Sequence, residues 1–239
     1  MDIQVCINTN GAGTEMAPLD AQALEFALVL KEAPPAWLED PVTITAVSLG
    51  RDREQLLRRA LGMGADRAVW IRGHGNEFSA QERAGCLARE GKTAHLILTG
   101  LQSETGMSGS VGPFMGGFLN LPSAMGIVQL DWGQTPWTLV LTQELEGGRQ
   151  STLSLQLPGI LGIQSGRYSP RYPSLSHMLK AQQQSVVHRK PDPPSDLPPG
   201  PVSRTVDTPK TQRRGEDWTS PVQDSAVQFT HWLKQRQLL

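Results

Sequence analysis

Cysteine is scarce in this chain, with Cys6 and Cys86 the only two among 239 residues. Two thiols are too few for a disulfide framework or a cysteine-bound zinc, and they suit a reducing compartment. Net charge is scarce as well, at −1 from 22 basic and 23 acidic side chains, so no strong field points to nucleic acid. No apolar run approaches bilayer length, which argues against direct membrane insertion. The opening MDIQVCINTN has no basic region followed by a long apolar core, so it does not read as a signal peptide, and a soluble, cytoplasmic protein is the expectation.

A catalytic constellation is missing too. His74, His95, His177, His188 and His231 are scattered with no ligand-pair spacing, and Glu104 and Glu146 are too isolated to act as a paired acid and base. His95 opens an apolar run and reads as a satisfied core or edge residue. Arg53, Arg58 and Arg59 read as a solvated helix face. No metal site and no catalytic residue are expected, and no turnover by the chain alone.

Strand-like and helix-like runs alternate through the first half. Residues 3–7, 42–47, 67–71 and 95–99 are apolar or β-branched runs. Between them, Pro18 opens a helix carrying Ala21, Leu24, Leu28 and Val29. Leu56, Leu57, Ala60 and Leu61 mark a second helix, closed by Gly62 and Gly64, and residues 78–90 a weaker third. Short connections between such runs predict an open, mainly parallel sheet with helices on both faces.

The fourth run delivers a glycine-rich stretch, GLQSETGMSGSVGP at 100–113, into a helix starting near Val111. Glycines let backbone approach a ligand, and free N–H groups at a helix start attract phosphate. The spacing is neither a P-loop nor a G-x-G-x-x-G fingerprint, so the motif alone leaves a loop without a ligand open. Topology adds weight, because ligands of parallel sheets bind beyond the carboxyl ends of the strands. Cys6–Asn8, the segment Ser48, Leu49, Gly50 and this loop all reach that edge, framing a pocket of largely backbone character.

Beyond residue 123 the texture becomes an antiparallel excursion, with runs at 127–132, 136–144 and 150–157 and a turn at Glu146–Gly148. Residues 158–163 can return to the sheet. The stretch 167–181 is turn-rich, then helical, with Ser174 as N-cap and Leu175, Met178 and Leu179 on one face. Residues 191–201 form a proline-rich connector. After polar sequence to Thr219, Val222, Ala226, Phe229 and Leu233 make a short amphipathic helix, with Trp218 and Trp232 nearby. It docks on another surface, in this protein or in a partner.

Read together, these motifs resemble the beta subunit of electron transfer flavoproteins. The stretch MAPLDAQALE at 16–25 looks like the family's MNPFDEYALE helix entry, and ALGMGADR at 60–67 is similar to ALAMGADR. The loop at 100–113 aligns without a gap to GKQAIDGDTGQVGP, and ELEGG at 144–148 followed by Leu157 and Pro158 fits the family's signature. PRYPSLSHMLKA at 170–181 is very like PRYPSLPNIMKA. The resemblance implies a Rossmann-like, adenine-nucleotide-binding α/β domain over 1–185, and a proline-rich connector with a docking helix over 186–239.

It also implies a structural AMP in this subunit and a heterodimer with an alpha subunit that holds most of a shared FAD site. Electrons would pass from a flavin dehydrogenase, such as an acyl-CoA dehydrogenase, toward a quinone oxidoreductase. The implied nucleotide contacts are Cys6, Asn8, Ala17, Leu49, Gly100, Gln102, Ser103, Gly106, Met107, Ser108, Gly109, Ser110 and Val111. A recognition loop at about 170–182 would present Tyr172, Leu175, Met178, Leu179 and Lys180, with Leu175 as its anchor. The chain departs from the family pattern in charge. Leu101 replaces a lysine, Thr105 and Met107 replace acids, Asn8 replaces a lysine, and Gln182–Gln184 replace a lysine-rich run. Two other readings stay open: a nucleotide-binding or structural module without a redox role, and a bifurcating subunit holding FAD in place of AMP.

Overall fold

Apolar strands that are buried on both faces need cover on both faces, and the four amphipathic helices of the first half provide it. The computed structural model describes residues 1–8, 15–73, 78–103, 107–195, 197 and 220–238. His74, Glu104, Thr105, Gly106, Trp218 and, in the expected connector, residues 196 and 198–201 fall outside them. Two compact units divide the chain at Gly200.

In the first unit, β1 (Asp2–Cys6), β2 (Thr43–Gly50), β3 (Arg67–Arg72) and β4 (Leu96–Gly100) alternate with α1 (Pro18–Glu32), α2 (Glu54–Met63), α3 (Ala80–Glu90) and α4 (Val111–Leu119). Side chains on a strand point alternately to the two faces. Ile44 and Ala46 therefore join one apolar cluster with Leu24, Phe26 and Leu28 of α1 and Leu57 and Ala60 of α2. Val47 and Leu49 join the opposite cluster, with Ala84 and Leu87 of α3 and Met115 of α4. Each large side chain taken from water here contributes about 1.5–3 kcal/mol.

Local signals set the helix ends. Pro18 sits in the first turn of α1, followed by Asp20, whose charge suits the helix N-terminus. Ser79 and Glu82 form a capping box that starts α3. Gly62, expected to close α2, lies inside it, and Gly64 is the C-cap with φ of 127°. Met178 and Pro173 pack against the helix at Gly62.

The antiparallel excursion is present as β5 (Ser123–Trp132), β6 (Thr138–Glu144) and β7 (Gln150–Gln156). It is followed by β8 (Gly159–Ile163), α5 (Leu175–Gln183) and a short β9 (Val187–Arg189). The nine strands form one sheet in the order β7-β6-β5-β8-β4-β1-β2-β3-β9. β8 enters between β4 and β5, parallel to both. β9 pairs with the far edge of β3, a strand that no run in the sequence announces. The architecture is a Rossmann-like α/β sheet, mainly parallel, with an antiparallel end.

The arginines of α2 are not a plain solvated face. Arg58 donates from Nη1 to the carbonyls of Ala181, Gln182 and Gln184 at 3.0, 2.7 and 3.2 Å, and so closes the end of α5. Glu54 holds the same guanidinium at 2.7 Å. Arg59 lies over the Tyr172 ring at 5.9 Å from its centroid. A long side chain one turn from a neighbouring helix end reaches its orphan carbonyls, and that contact outweighs solvation in water.

The second unit contributes α6 (Val222–Gln235), which buries none of its side chains. Among the described residues no helix is long and apolar enough to cross a membrane.

Candidate functional site

Parallel pairing of β1 with β2 and with β4 brings the carboxyl ends of three strands to one edge. A cleft opens there. Cys6, Ile7 and Asn8 line it from β1, Leu49 from β2, and Thr99 and Gly100 from β4. Leu101, Gln102, Ser103, Ser108 and Gly109 continue the wall into Val111 and Gly112 of α4. Ala17 and Asp20 close it at the start of α1, and Arg83 and Leu87 reach it from α3.

Asp20 ties two of these strand ends together. Its carboxylate accepts the Asn8 amide at 2.7 Å and the Gly100 amide at 3.0 Å. A Cβ on Gly100 would overlap that carboxylate, so glycine is required there for the close approach.

The loop folds back on itself through Met107 N–H donating to the Ser103 carbonyl at 2.9 Å and Ser103 N–H donating to the Ser108 carbonyl at 3.1 Å. Leu101 N–H donates to Ile163 of β8 at 2.8 Å. From Ser108 to Gly112 the backbone amides have no acceptor among the described residues. α4 has no acidic residue in its first turn and no side-chain cap. Consecutive free N–H groups at a helix start, facing a cleft with little negative charge, fit an anion such as a phosphate. Ile7, Ala17, Leu49, Leu87 and Val111 supply the apolar lining a flat base needs. The residues present thus suit a phosphate group beside a flat, apolar one.

Cys6 is a wall residue, not a nucleophile. Burial pushes its thiol up from 9.0 to about 12, against the smaller opposing effect of a Gln4 hydrogen bond, while the Asp20 charge adds to the rise. At neutral pH it is protonated and unreactive.

Of the residues expected at a nucleotide, Cys6, Asn8, Ala17, Leu49, Gly100, Gln102, Ser103, Ser108, Gly109 and Val111 line the cleft. Met107 does not: it takes φ of 51° and is largely exposed. Ser110 is the N-cap of α4, its Oγ 2.8 Å from that of Ser108, and is not part of the lining. Gly106 lies outside the described residues. Sequence reasoning missed Asp20, Arg83 and Leu87. The helical spacing of Arg83 and Leu87 was visible, but nothing local says which helix face meets a cleft.

A second feature lies on the far side of α1 and α2. Residues 167–174 run across both helices, held by Tyr168 edge-on to Phe26 at 5.2 Å and by Arg171 on Glu25 and Glu32. α5 follows, capped by Ser174 Oγ accepting from His177 N–H at 3.3 Å. Tyr172 is 85% exposed and Leu175 77%, with Leu179 and Lys180 also exposed. Met178, expected to share that outward face, is half-buried against α2, where a Cβ on Gly62 would come within 2.6 Å of its sulfur.

Residues 5–194 match the sequence model of the electron transfer flavoprotein domain. The electron transfer flavoprotein subunit beta of Methylophilus methylotrophus is 30% identical over 171 residues, 70% of this chain and 63% of that protein. The Bacillus subtilis subunit beta is 31% identical over 186 residues, 75% of this chain and 68% of its own length. That of Bradyrhizobium diazoefficiens is 27% identical over 197 residues, 79% and 76% of the two chains. The chain thus spans just under two thirds of the first of these relatives.

Proposed function

As the chain belongs to the electron transfer flavoprotein family, in its beta-subunit branch, we propose that it holds a structural AMP in the cleft at the carboxyl edge of its sheet. It pairs with an FAD-bearing alpha subunit and relays electrons from a flavin dehydrogenase toward a quinone oxidoreductase. It turns over no substrate alone and works in the cytoplasm. Residues 1–185 are the nucleotide-binding domain, and 186–239 the connector and docking helix.

The observation that carries the nucleotide reading is the run of amides from Ser108 to Gly112, without acceptors among the described residues, beside a cleft at three strand ends. The phosphate would lie on those amides, and the base among Ile7, Leu49 and Leu87. When bound, AMP supplies packing and charge that complete the fold, and no chemistry. Tyr172, Leu175 and Leu179 form the exposed apolar surface for the dehydrogenase, and burying Leu175 there is worth about 1.5–3 kcal/mol, a size that suits a transient redox contact.

The test is to co-express the chain with an alpha-type subunit, purify the complex and identify the released nucleotides. One FAD and one AMP per heterodimer is the expected result. Two FAD would replace this reading with the bifurcating one. A chain that neither pairs nor retains a nucleotide would end the redox reading altogether.

A further inference from the structure

The loop departs from its family in charge, yet among the described residues a cation, Arg83, lines the cleft from a different element. Arg83 stands in the first half of α3, which packs beside α4, and it lines the same cleft as Ser108, Gly109 and Gly112. Its Nε donates to the Phe78 carbonyl at 3.2 Å, which fixes the plane of the guanidinium. Among the described residues no carboxylate pairs with it. The two nearby acids are engaged elsewhere: Asp20 holds the Asn8 and Gly100 amides, and Glu82 accepts the Ser79 amide at 2.7 Å.

The surroundings of Arg83 bring burial and a second arginine. Burial pulls its pKa below the ordinary value. Arg53, whose guanidinium lies over Gly50 at the end of β2, is lowered first by burial and then by the positive charge of Arg83, against a smaller opposing effect of Asp52. A half-buried guanidinium beside a row of amide donors, with no carboxylate on it among the described residues, is favourable around an anion.

We propose that Arg83 is the charged contact to the nucleotide's phosphate, and that it makes the cleft select a nucleotide over the corresponding nucleoside. This rests on the nucleotide reading of the cleft. A planar guanidinium with free Nη hydrogens matches phosphate oxygens as a lysine does not. It stands in for the charge missing at Leu101, while the backbone amides give the remaining, uncharged part of the grip.

The experiment is calorimetric titration of the nucleotide-free full chain with AMP and, separately, with adenosine, for wild type, Arg83→Gln and Arg83→Lys. Wild type should prefer AMP. Arg83→Gln should weaken AMP by about ten- to a hundredfold while leaving adenosine unchanged, and Arg83→Lys should recover part of the loss. Added salt should weaken AMP more steeply in wild type than in Arg83→Gln. Without ligand, Arg83→Gln should melt close to wild type, since the arginine gives up one hydrogen bond to a backbone carbonyl and no ion pair among the described residues. An equal loss of AMP and adenosine, no loss of either, or a marked drop in the melting temperature of the free variant would make Arg83 a packing residue and overturn the proposal alone. If neither ligand binds wild type, the nucleotide reading falls and this assignment with it.

Discussion

Arg171 grips the buried carboxylate of Glu25 at two points, with Nη2 2.7 Å from Oε1 and Nε 3.0 Å from Oε2, and its own backbone N–H adds a third bond at 3.0 Å to Oε2. The other edge of the guanidinium meets Glu32, and these two carboxylates raise the pKa of Arg171 above its ordinary value. Glu25 is only 5% exposed, because residues 167–174 cover it where it stands on α1. The pair staples residues 167–174 to the helix that also carries Asp20 into the cleft, so the exposed segment and the nucleotide edge share one support.

Removing one partner of such a pair leaves the other charge buried and unanswered. Arg171→Met should therefore destabilise the fold by about 3 kcal/mol, toward the lower end for a buried pair because Arg171 itself is partly exposed. Denaturant unfolding of the full chain measures this directly. A change below about 0.5 kcal/mol, the range of ordinary surface substitutions, would show that the staple carries no stability.

Gly62 permits α5 to lie close on α2, because a Cβ there meets Met178 Sδ at 2.6 Å. Alanine in place of glycine inside a helix gains about 1 kcal/mol of intrinsic propensity. In Gly62→Ala the clash should cancel that gain, and in Gly62→Ala with Met178→Ala the gain should reappear as a positive coupling. Thermal melts of the four proteins of this cycle give the coupling, and strict additivity would mean that the helices are not in contact at this point.

Cys6 predicts a pH dependence. The unfolded thiol loses its proton near 9.0, whereas the folded one keeps it to about 12. Between those values the folded state holds a proton that the unfolded state lacks, so stability falls as pH rises, by at most about 1.4 kcal/mol per unit from this group. Stability measured from pH 8 to 11 should decline more steeply in wild type than in Cys6→Ala. Parallel curves would place the thiol in a less desolvated setting.

Leu175→Ala should leave folding stability within about 0.5 kcal/mol of wild type, because this side chain is already in water. Reduction of the complex by its flavin dehydrogenase should slow, with FAD content unchanged. Loss of FAD or of stability would make Leu175 a packing residue.

Much of the parallel half was legible because its signals are local. The β-branched run at 42–47, the cluster Leu56, Leu57, Ala60 and Leu61, and the apolar spacing of Leu24 and Leu28 each announce their own element. The strand ends framing the cleft followed from the handed, parallel topology alone. What stayed hidden is decided by partners far along the chain. The three exposed residues of β9 become a strand only because β3 offers an open edge. Arg58 and Arg83 have the same helical spacing as solvated arginines, and only the fold brings one to the carbonyls of α5 and the other to a cleft. Glu25 reads as an outward acid until residue 171 arrives to meet it.

β8 also decides when the sheet can be finished. Its two neighbours, β4 and β5, bond to it and not to each other, so the antiparallel ribbon cannot zip onto the nucleotide half until the chain has reached Gly159–Ile163. A nascent chain emerging before that point carries two strand edges, β5 and β4, that the finished sheet lacks, both open to pairing with other chains. β8 is thus the keystone of the sheet, the last of its interior strands to be synthesised and the one that closes both edges at once.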